Sequence, residues 1–201
     1  MKDRIKNNLK QVMALTANEE DNLLVRNCLE GDESALEKLL EKYLDPIHSF
    51  LRYLVRDVSV VEDLSQETFI KVWKNLSKFD QDKSFKTWIF AIAKNTALDF
   101  LKKKKTTPFS FFEDEEGNNK LEGIAENSIL PDEILERKDI VREMEAKLEL
   151  IPEKYRVILI LHYKEDFTFF EIAEILGRPY NTIKAYHSRA LSKLKEAFSD
   201  E

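Results

Sequence analysis

Residues 168–195 read TFFEIAEILGRPYNTIKAYHSRALSKLK, two helical patterns on either side of a single glycine. Thr168 with Glu171 three residues later has capping-box spacing, in which each side chain satisfies an orphan backbone N–H of the other. Ile172, Ala173, Ile175 and Leu176 keep a helical step until Gly177, the kind of residue that ends a helix. After Arg178 and Pro179 a second helix is predicted to begin near Asn181, with Ile183, His187, Ala190, Leu191 and Leu194 on one face. Helix, tight glycine turn and helix, with the small Ala173 where two helices must approach closely, is the pattern of a helix-turn-helix. An ordinary helical hairpin shares that periodicity, so charge has to separate the two readings. Residues 178–195 carry Arg178, Lys184, Arg189, Lys193 and Lys195 and no acid. A basic second helix suits the DNA major groove, and five phosphate contacts would give a log–log salt slope of about −4 to −5. His187 lies four residues after Ile183 and is expected to face the core rather than a base.

Just upstream, Pro152 suits the first turn of a helix whose Val157, Ile158 and Leu161 are apolar enough to be central. Asp132 to Leu150 reads as another helix, with Ile140, Val141, Met144 and Leu148 on one face. Between Pro108 and Pro131 the texture changes: Gly117, Gly123 and the acidic run 113–116 predict a flexible, anionic linker.

The block before the linker is again helical. Leu36, Leu39, Leu40, Tyr43, Leu44, Ile47, Phe50, Leu51 and Leu54 recur at three- and four-residue steps, with Pro46 expected to kink their helix. Ser59 and Glu62 have capping-box spacing ahead of a second helix through Val61, Leu64, Thr68, Val72 and Leu76. Ser84 opens a third, carrying Phe85, Trp88, Ile89, Ile92 and Ala93 and ending in Lys102 to Lys105, where cations suit the helix dipole.

Composition agrees with an all-α chain of two helical domains joined by that linker: 201 residues contain only four glycines and five prolines. No apolar run approaches the roughly 20 residues that a membrane span needs. Cys28 has no partner for a disulfide. Lys2, Arg4, Lys6 and Lys10 are followed only by the short apolar stretch Val12 to Leu15, so no signal peptide is predicted and a cytoplasmic location is expected. The net charge of −6 argues, taken whole, against a nucleic-acid partner. By segment it does not, because residues 106–139 hold three cations against ten acids and supply more than the whole deficit. Residues 83–105 hold seven lysines against Asp99 alone. In and beside that segment, Phe79, Phe85, Trp88 and Phe90 lie among Lys78, Lys83, Lys86 and Lys94. Aromatic faces stack unpaired bases at about 1–3 kcal/mol each while lysines follow the backbone, which predicts single-strand binding. The competing reading makes Phe85 and Trp88 core. His48, His162, His187 and Cys28 lack metal-ligand spacing and GxxxxGK[ST] is absent, so neither a cofactor nor enzyme chemistry is expected.

Three stretches, EDLSQETFIKVWKNL at 62–76, SFKTWIFAIAKNTALDFLKKK at 84–104 and LIPEKYRVILILHYKEDFTFFEIAEILGRPYNTIKAYHSRALSKLK at 150–195, together resemble bacterial RNA polymerase sigma factors. The similarity is to the small extracytoplasmic-function (ECF) type, built of only the second and fourth sigma domains. It runs from about Leu23 to Phe198 except for the linker. It implies an N-terminal arm at 1–22, a second domain at 23–105, the acidic linker at 106–131 and a fourth domain at 132–198. It implies core RNA polymerase and promoter DNA, duplex and melted non-template strand, as partners. An anti-sigma factor is common in the family, though no residue here encodes one.

Residue by residue, the resemblance implies polymerase contacts at Asp63, Gln66, Glu67 and Lys71. The segment from Leu76 to Lys86 and the helix after it resemble the part that captures a flipped base of the minus-ten element. This transfers to Phe79 and Asn95 with Trp88 nearby, and the cations Lys83, Lys86 and Lys94 join that face. Flipping a base costs a few kcal/mol, which a fitted pocket offsets. The minus-thirty-five reader corresponds to Lys184, Ala185, Ser188 and Arg189, with Arg178, Asn181 and Thr182 completing the DNA face. Ala185 stands where many members have Ser, and Tyr186 and His187 replace a common Arg and aliphatic pair. Ala185 has no side-chain donor but fits a thymine methyl. A stand-alone helix-turn-helix regulator is the alternative, one that leaves Phe79 to Lys105 without a role.

Overall fold

The computed structural model describes residues 17–55, 57–104, 146–148 and 150–199. The linker, the arm up to residue 16, Lys105 and most of the helix expected from Asp132 lie outside them. The described residues are helical, without strands, and fall into two compact units, the first ending at Lys104.

The first unit begins with helix α1, residues 17–29. It crosses the expected boundary between arm and domain at residues 22 and 23. Asp21, Val25 and Cys28 on one of its faces are buried, so residues 17–22 belong to the folded unit rather than to an arm. Helix α2, Glu33–Leu54, is capped by the Asp32 carboxylate, which accepts from the Ser34 N–H at 2.9 Å. It continues through Pro46 as one element.

Helix α3, Val58–Asn75, starts one residue before Ser59. Its N-cap is therefore Asp57, and the Ser59 hydroxyl turns back to donate to Asp57 Oδ1 at 2.6 Å. The expected Ser59–Glu62 box does not form, because Ser59 already sits in the first turn. The buried hydroxyls of Ser65 and Thr68 donate to the carbonyls of Val61 and Leu64, so neither is left unsatisfied. A 3-10 turn, Leu76–Lys78, leads to loop 79–84 and then to helix α4, Phe85–Lys104. Ser84 opens α4 as expected, its Oγ accepting from the Thr87 N–H. Ile47, Phe50 and Leu51 of α2, Val61 and Leu64 of α3, and Ile89, Phe90 and Ala93 of α4 are core residues. Phe50 and Phe90 meet at 5.1 Å between ring centroids.

In the second unit, helix α5, Glu153–Leu159, passes into a π-helical turn, Ile160–Lys164, instead of running on as one α-helix. The wider turn carries the Glu165 N–H to the Ile160 carbonyl and the Phe167 N–H to that of Leu161, closing the loop ahead of the next helix. Val157, Ile158 and Leu161 are fully buried, as their pattern predicted. Helices α6, Phe169–Leu176, and α7, Tyr180–Ser199, complete the unit. Ala190 and Leu194 of α7 pack with Ile151 and Leu159, and Leu148, Tyr155 and Leu191 flank them. No helix among the described residues is long and apolar enough to cross a membrane.

Candidate nucleic-acid interface

The capping box at the start of α6 forms in full. The Thr168 N–H donates to Glu171 Oε2 at 2.8 Å, and the Glu171 N–H donates to Thr168 Oγ1 at 3.3 Å. The helix ends at Gly177, whose φ of +64° is a conformation that side chains with a Cβ rarely adopt. Beyond it the Arg178 N–H reaches back to the Ala173 carbonyl at 3.0 Å, the long bond of a Schellman motif. The Pro179 carbonyl then accepts from Thr182 and Ile183, starting α7 one residue earlier than the expected Asn181. Two helices are thereby set at a fixed turn by bonds that all lie within six residues.

The burial of Ile183, Ala190 and Leu194 fixes which side of α7 faces out. Asn181, Lys184 and Arg189 are exposed, and Arg178, Thr182, Ala185 and Ser188 are half-buried. Asn181, Lys184, Ala185 and Ser188 follow a spacing of three, four and seven residues, so they share one face, with Thr182 and Arg189 along its edge. That face is polar, cationic and clear of the packed side.

His187 lies on the opposite side, as expected. Its Nε2 meets the Tyr163 hydroxyl at 3.1 Å, and its ring packs against Phe169, His162 and Tyr163. Burial, reinforced by the nearby His162, lowers its pKa from 6.5 to about 4. The unfolded chain then binds the proton more readily than the folded one. The neutral ring's contribution to stability is complete above pH 6.5 and is lost as the pH falls towards 4. The protection factors of amides across α7, corrected for the intrinsic exchange rate at each pH, are expected to fall over that interval, and less so in His187→Gln. An equal fall in both proteins would show that another group carries the effect.

In the first unit the aromatic residues gather instead of standing out. Phe79 meets Phe85 edge-on at 5.4 Å and Trp88 at 5.0 Å, and Phe85 meets Tyr43 and Trp88. Phe79, Phe85 and Phe90 are buried, and only Trp88 keeps part of its surface. Of the two readings open for these aromatics, Phe85 takes the core one and Trp88 lies at its edge, and with Phe79 they form an aromatic floor at the base of loop 79–84, because these rings gain more from one another and from α2 than from water. Asn95, seven residues after Trp88, is exposed on the same side of α4, and Lys83 is exposed in the loop. Lys86 is half-buried, and Lys94, only 9% exposed, is withdrawn from the surface it was assigned to.

On α3, Asp63, Gln66 and Glu67 are exposed on one face. Lys71 differs: its ammonium is 2.9 Å from Glu67 and donates to Thr96 Oγ1 of α4 at 3.1 Å, so it braces two helices. Two residues on the exposed face went unnoticed in the sequence. Ile70 is 53% and Trp73 52% exposed, four and seven residues after Gln66. The available signal was a bulky apolar residue off the Val61, Leu64, Thr68 stripe. They make that face partly apolar, as a protein-binding surface is.

Comparison with known proteins matches the same two units. The Sigma-70 region 2 family model matches residues 39–107, and the Sigma-70 region 4 model matches residues 142–194. The ECF RNA polymerase sigma factor SigW of Bacillus subtilis is 28% identical over 180 residues, covering 88% of this chain and 95% of SigW. Among solved structures, CnrH in complex with the cytosolic domain of CnrY is similar with a TM-score of 0.64 and 19% identity, over 90% of this chain and 99% of that one. The sigma factor RpoE of Bartonella quintana, solved with the anti-sigma factor NepR, is similar with a TM-score of 0.61 and 24% identity. That match covers 82% of this chain and 96% of RpoE.

Proposed function

The chain belongs to the sigma-70 family of bacterial RNA polymerase sigma factors, of the ECF type, and on that premise we propose how its two units divide the work of promoter recognition. It binds core RNA polymerase, recognises the minus-ten and minus-thirty-five elements and promotes melting for transcription initiation. In the second unit, α7 enters the major groove of the minus-thirty-five element with Asn181, Lys184, Ala185, Ser188 and Arg189, while Arg178 and Thr182 approach the phosphates. In the first unit, loop 79–84 and the Trp88–Asn95 side of α4 receive the flipped base of the non-template strand over the floor made by Phe79. Lys83 and Lys86 follow its backbone. Asp63, Gln66 and Glu67, with Ile70 and Trp73 beside them, dock on polymerase, and Lys71 holds that face to α4. As domain limits we propose a second sigma domain that runs to about residue 105 and takes in α1, and a fourth from about residue 132 to 198.

The observation that carries this reading is that the two family matches fall on the two units, each with an exposed polar face suited to its region. We infer that the chain supplies binding and specificity without a reaction of its own, and that it works in the cytoplasm beside polymerase. An anti-sigma factor is a further proposed partner, supported by the fold shared with RpoE of Bartonella quintana, which was solved with one. Co-purification from the native host tests it.

Adding the chain to sigma-free core polymerase is expected to start transcription at discrete promoters in host genomic DNA. Gln66→Ala with Glu67→Ala should lower core capture about tenfold while leaving minus-thirty-five binding unchanged, a loss of about 1.4 kcal/mol shared by the two side chains. Absence of transcription together with tight, unaided operator binding would favour a stand-alone helix-turn-helix regulator instead.

A further inference from the structure

Loop 79–84 has no regular secondary structure, yet it must hold its shape while a base enters it. Its start lies on the floor made with Phe85 and Trp88. Within the loop, the Lys83 N–H donates to the Asp80 carbonyl and the Asp82 N–H to Asp80 Oδ1. Gln81, at the middle, is held from outside: Asn22 Nδ2 on α1 donates to the Gln81 carbonyl at 2.8 Å, across 59 positions of sequence.

Helix α1 is itself locked beside that contact. The carboxylate of Asp21, the residue before Asn22, is buried and accepts from both Lys42 Nζ and the Tyr43 hydroxyl. Burial and then the Asp21 charge push the Tyr43 phenol far up, so it stays protonated and donates. The Tyr43 ring meets Phe85 edge-on at 5.5 Å, the same ring that Phe79 meets. Two routes therefore lead from α1 to the loop, one through Tyr43 and Phe85 to its floor and one through Asn22 to its middle. Among the described residues the Asn22 Oδ1 is enclosed without a hydrogen-bond partner, a cost that a side chain serving only as surface would shed by turning to water.

We propose that α1 is the positioning element of the minus-ten reading loop, with Asn22 as the positioning residue that presets Gln81 for the flipped base. This rests on the reading that loop 79–84 receives that base. A loop already held in its bound shape loses less freedom on binding and discriminates better among bases, because a wrong base cannot be met by rearrangement.

The test uses the full chain assembled with core polymerase and a promoter found by the transcription assay. Two probes are titrated: the single non-template strand of its minus-ten element, with each of the four bases at the flipped position, and a duplex carrying only the minus-thirty-five element. Asn22→Leu keeps the size of the side chain and removes the donor. It is expected to weaken strand binding about five- to tenfold, the worth of one hydrogen bond, and to flatten base preference. Duplex binding should stay unchanged, the thermal midpoint should fall by no more than about 4–8 °C, and Asn22→Gln, which keeps an amide donor, should recover part of the loss. Faster hydrogen exchange at residues 81–83 in Asn22→Leu would support the same conclusion independently of DNA. Wild-type strand affinity and base preference in Asn22→Leu, alongside a weakened Asn95→Ala, would overturn the positioning role and leave the loop reading standing. If Trp88→Ala and Asn95→Ala also bind the strand normally, the loop reading fails and this inference with it.

Discussion

Replacing Lys184 and Arg189 together with alanine is expected to abolish most of the specific binding to the minus-thirty-five element while core association is unchanged. Both side chains are exposed on α7, away from Ile183, Ala190 and Leu194, so their loss leaves the packing intact. A good base contact discriminates by about 1–3 kcal/mol, which places the double loss between roughly tens and tens of thousands of fold. The salt dependence separates the two kinds of contact. If both residues neutralise phosphates, the log–log slope becomes shallower by about two and binding weakens evenly across sequences. If one reads a base, preference at that position relaxes and the slope changes by about one. Titration of holoenzyme against wild-type and scrambled duplexes at several salt concentrations measures both. Equal loss of core capture would show that this side of α7 is not a DNA face.

Phe85→Ala is expected to destabilise the first unit by about 3–5 kcal/mol, the usual cost of truncating a buried Phe. The ring is 1% exposed and touches Tyr43, Phe79 and Trp88, so its removal opens a cavity where α2, α4 and the loop meet. Against a total of about 5–15 kcal/mol for a domain, such a loss leaves the loop without a floor and minus-ten recognition with it. Trp88→Ala removes a partly exposed ring and should spend its effect differently, on strand affinity more than on folding. The measurement is direct, because both tryptophans of the chain, Trp73 and Trp88, lie in the first unit and their fluorescence reports its unfolding alone. In denaturant, Phe85→Ala should shift the midpoint strongly at an unchanged slope. A midpoint equal to wild type would mean that the aromatic floor does not hold the unit together.

The two units differ in how far their sites can be read from the chain. In the second unit, Thr168, Glu171 and Gly177 act on neighbours no more than five residues away, and the apolar step of Ile183, Ala190 and Leu194 repeats at the helical period. Local bonds and periodicity are properties of spacing, and the exposed face of α7 follows from them. In the first unit the site depends on partners far apart in sequence. Phe79, Phe85 and Trp88 look alike as a stacking surface or as a core, and the choice is made by Tyr43 of α2, whose ring closes against Phe85. Lys71 likewise reads as a free contact until Thr96 of α4 arrives beside it.

Spacing and composition alone establish the helical class, the helix-turn-helix with its cap and glycine turn, and the division of the net charge of −6 between an acidic linker and two near-neutral blocks, each with a cationic stretch. Those features rest on interactions within about one helical turn, or on composition, and need no knowledge of the fold. The meeting of helices brings residues 17–22 into the first unit, packs Phe79 against Phe85 and Trp88, withdraws Lys94, and brings Asn22 to Gln81. Each of these depends on which helices meet, and burial is settled by the sum of contacts between segments tens of residues apart, a quantity that no local spacing contains.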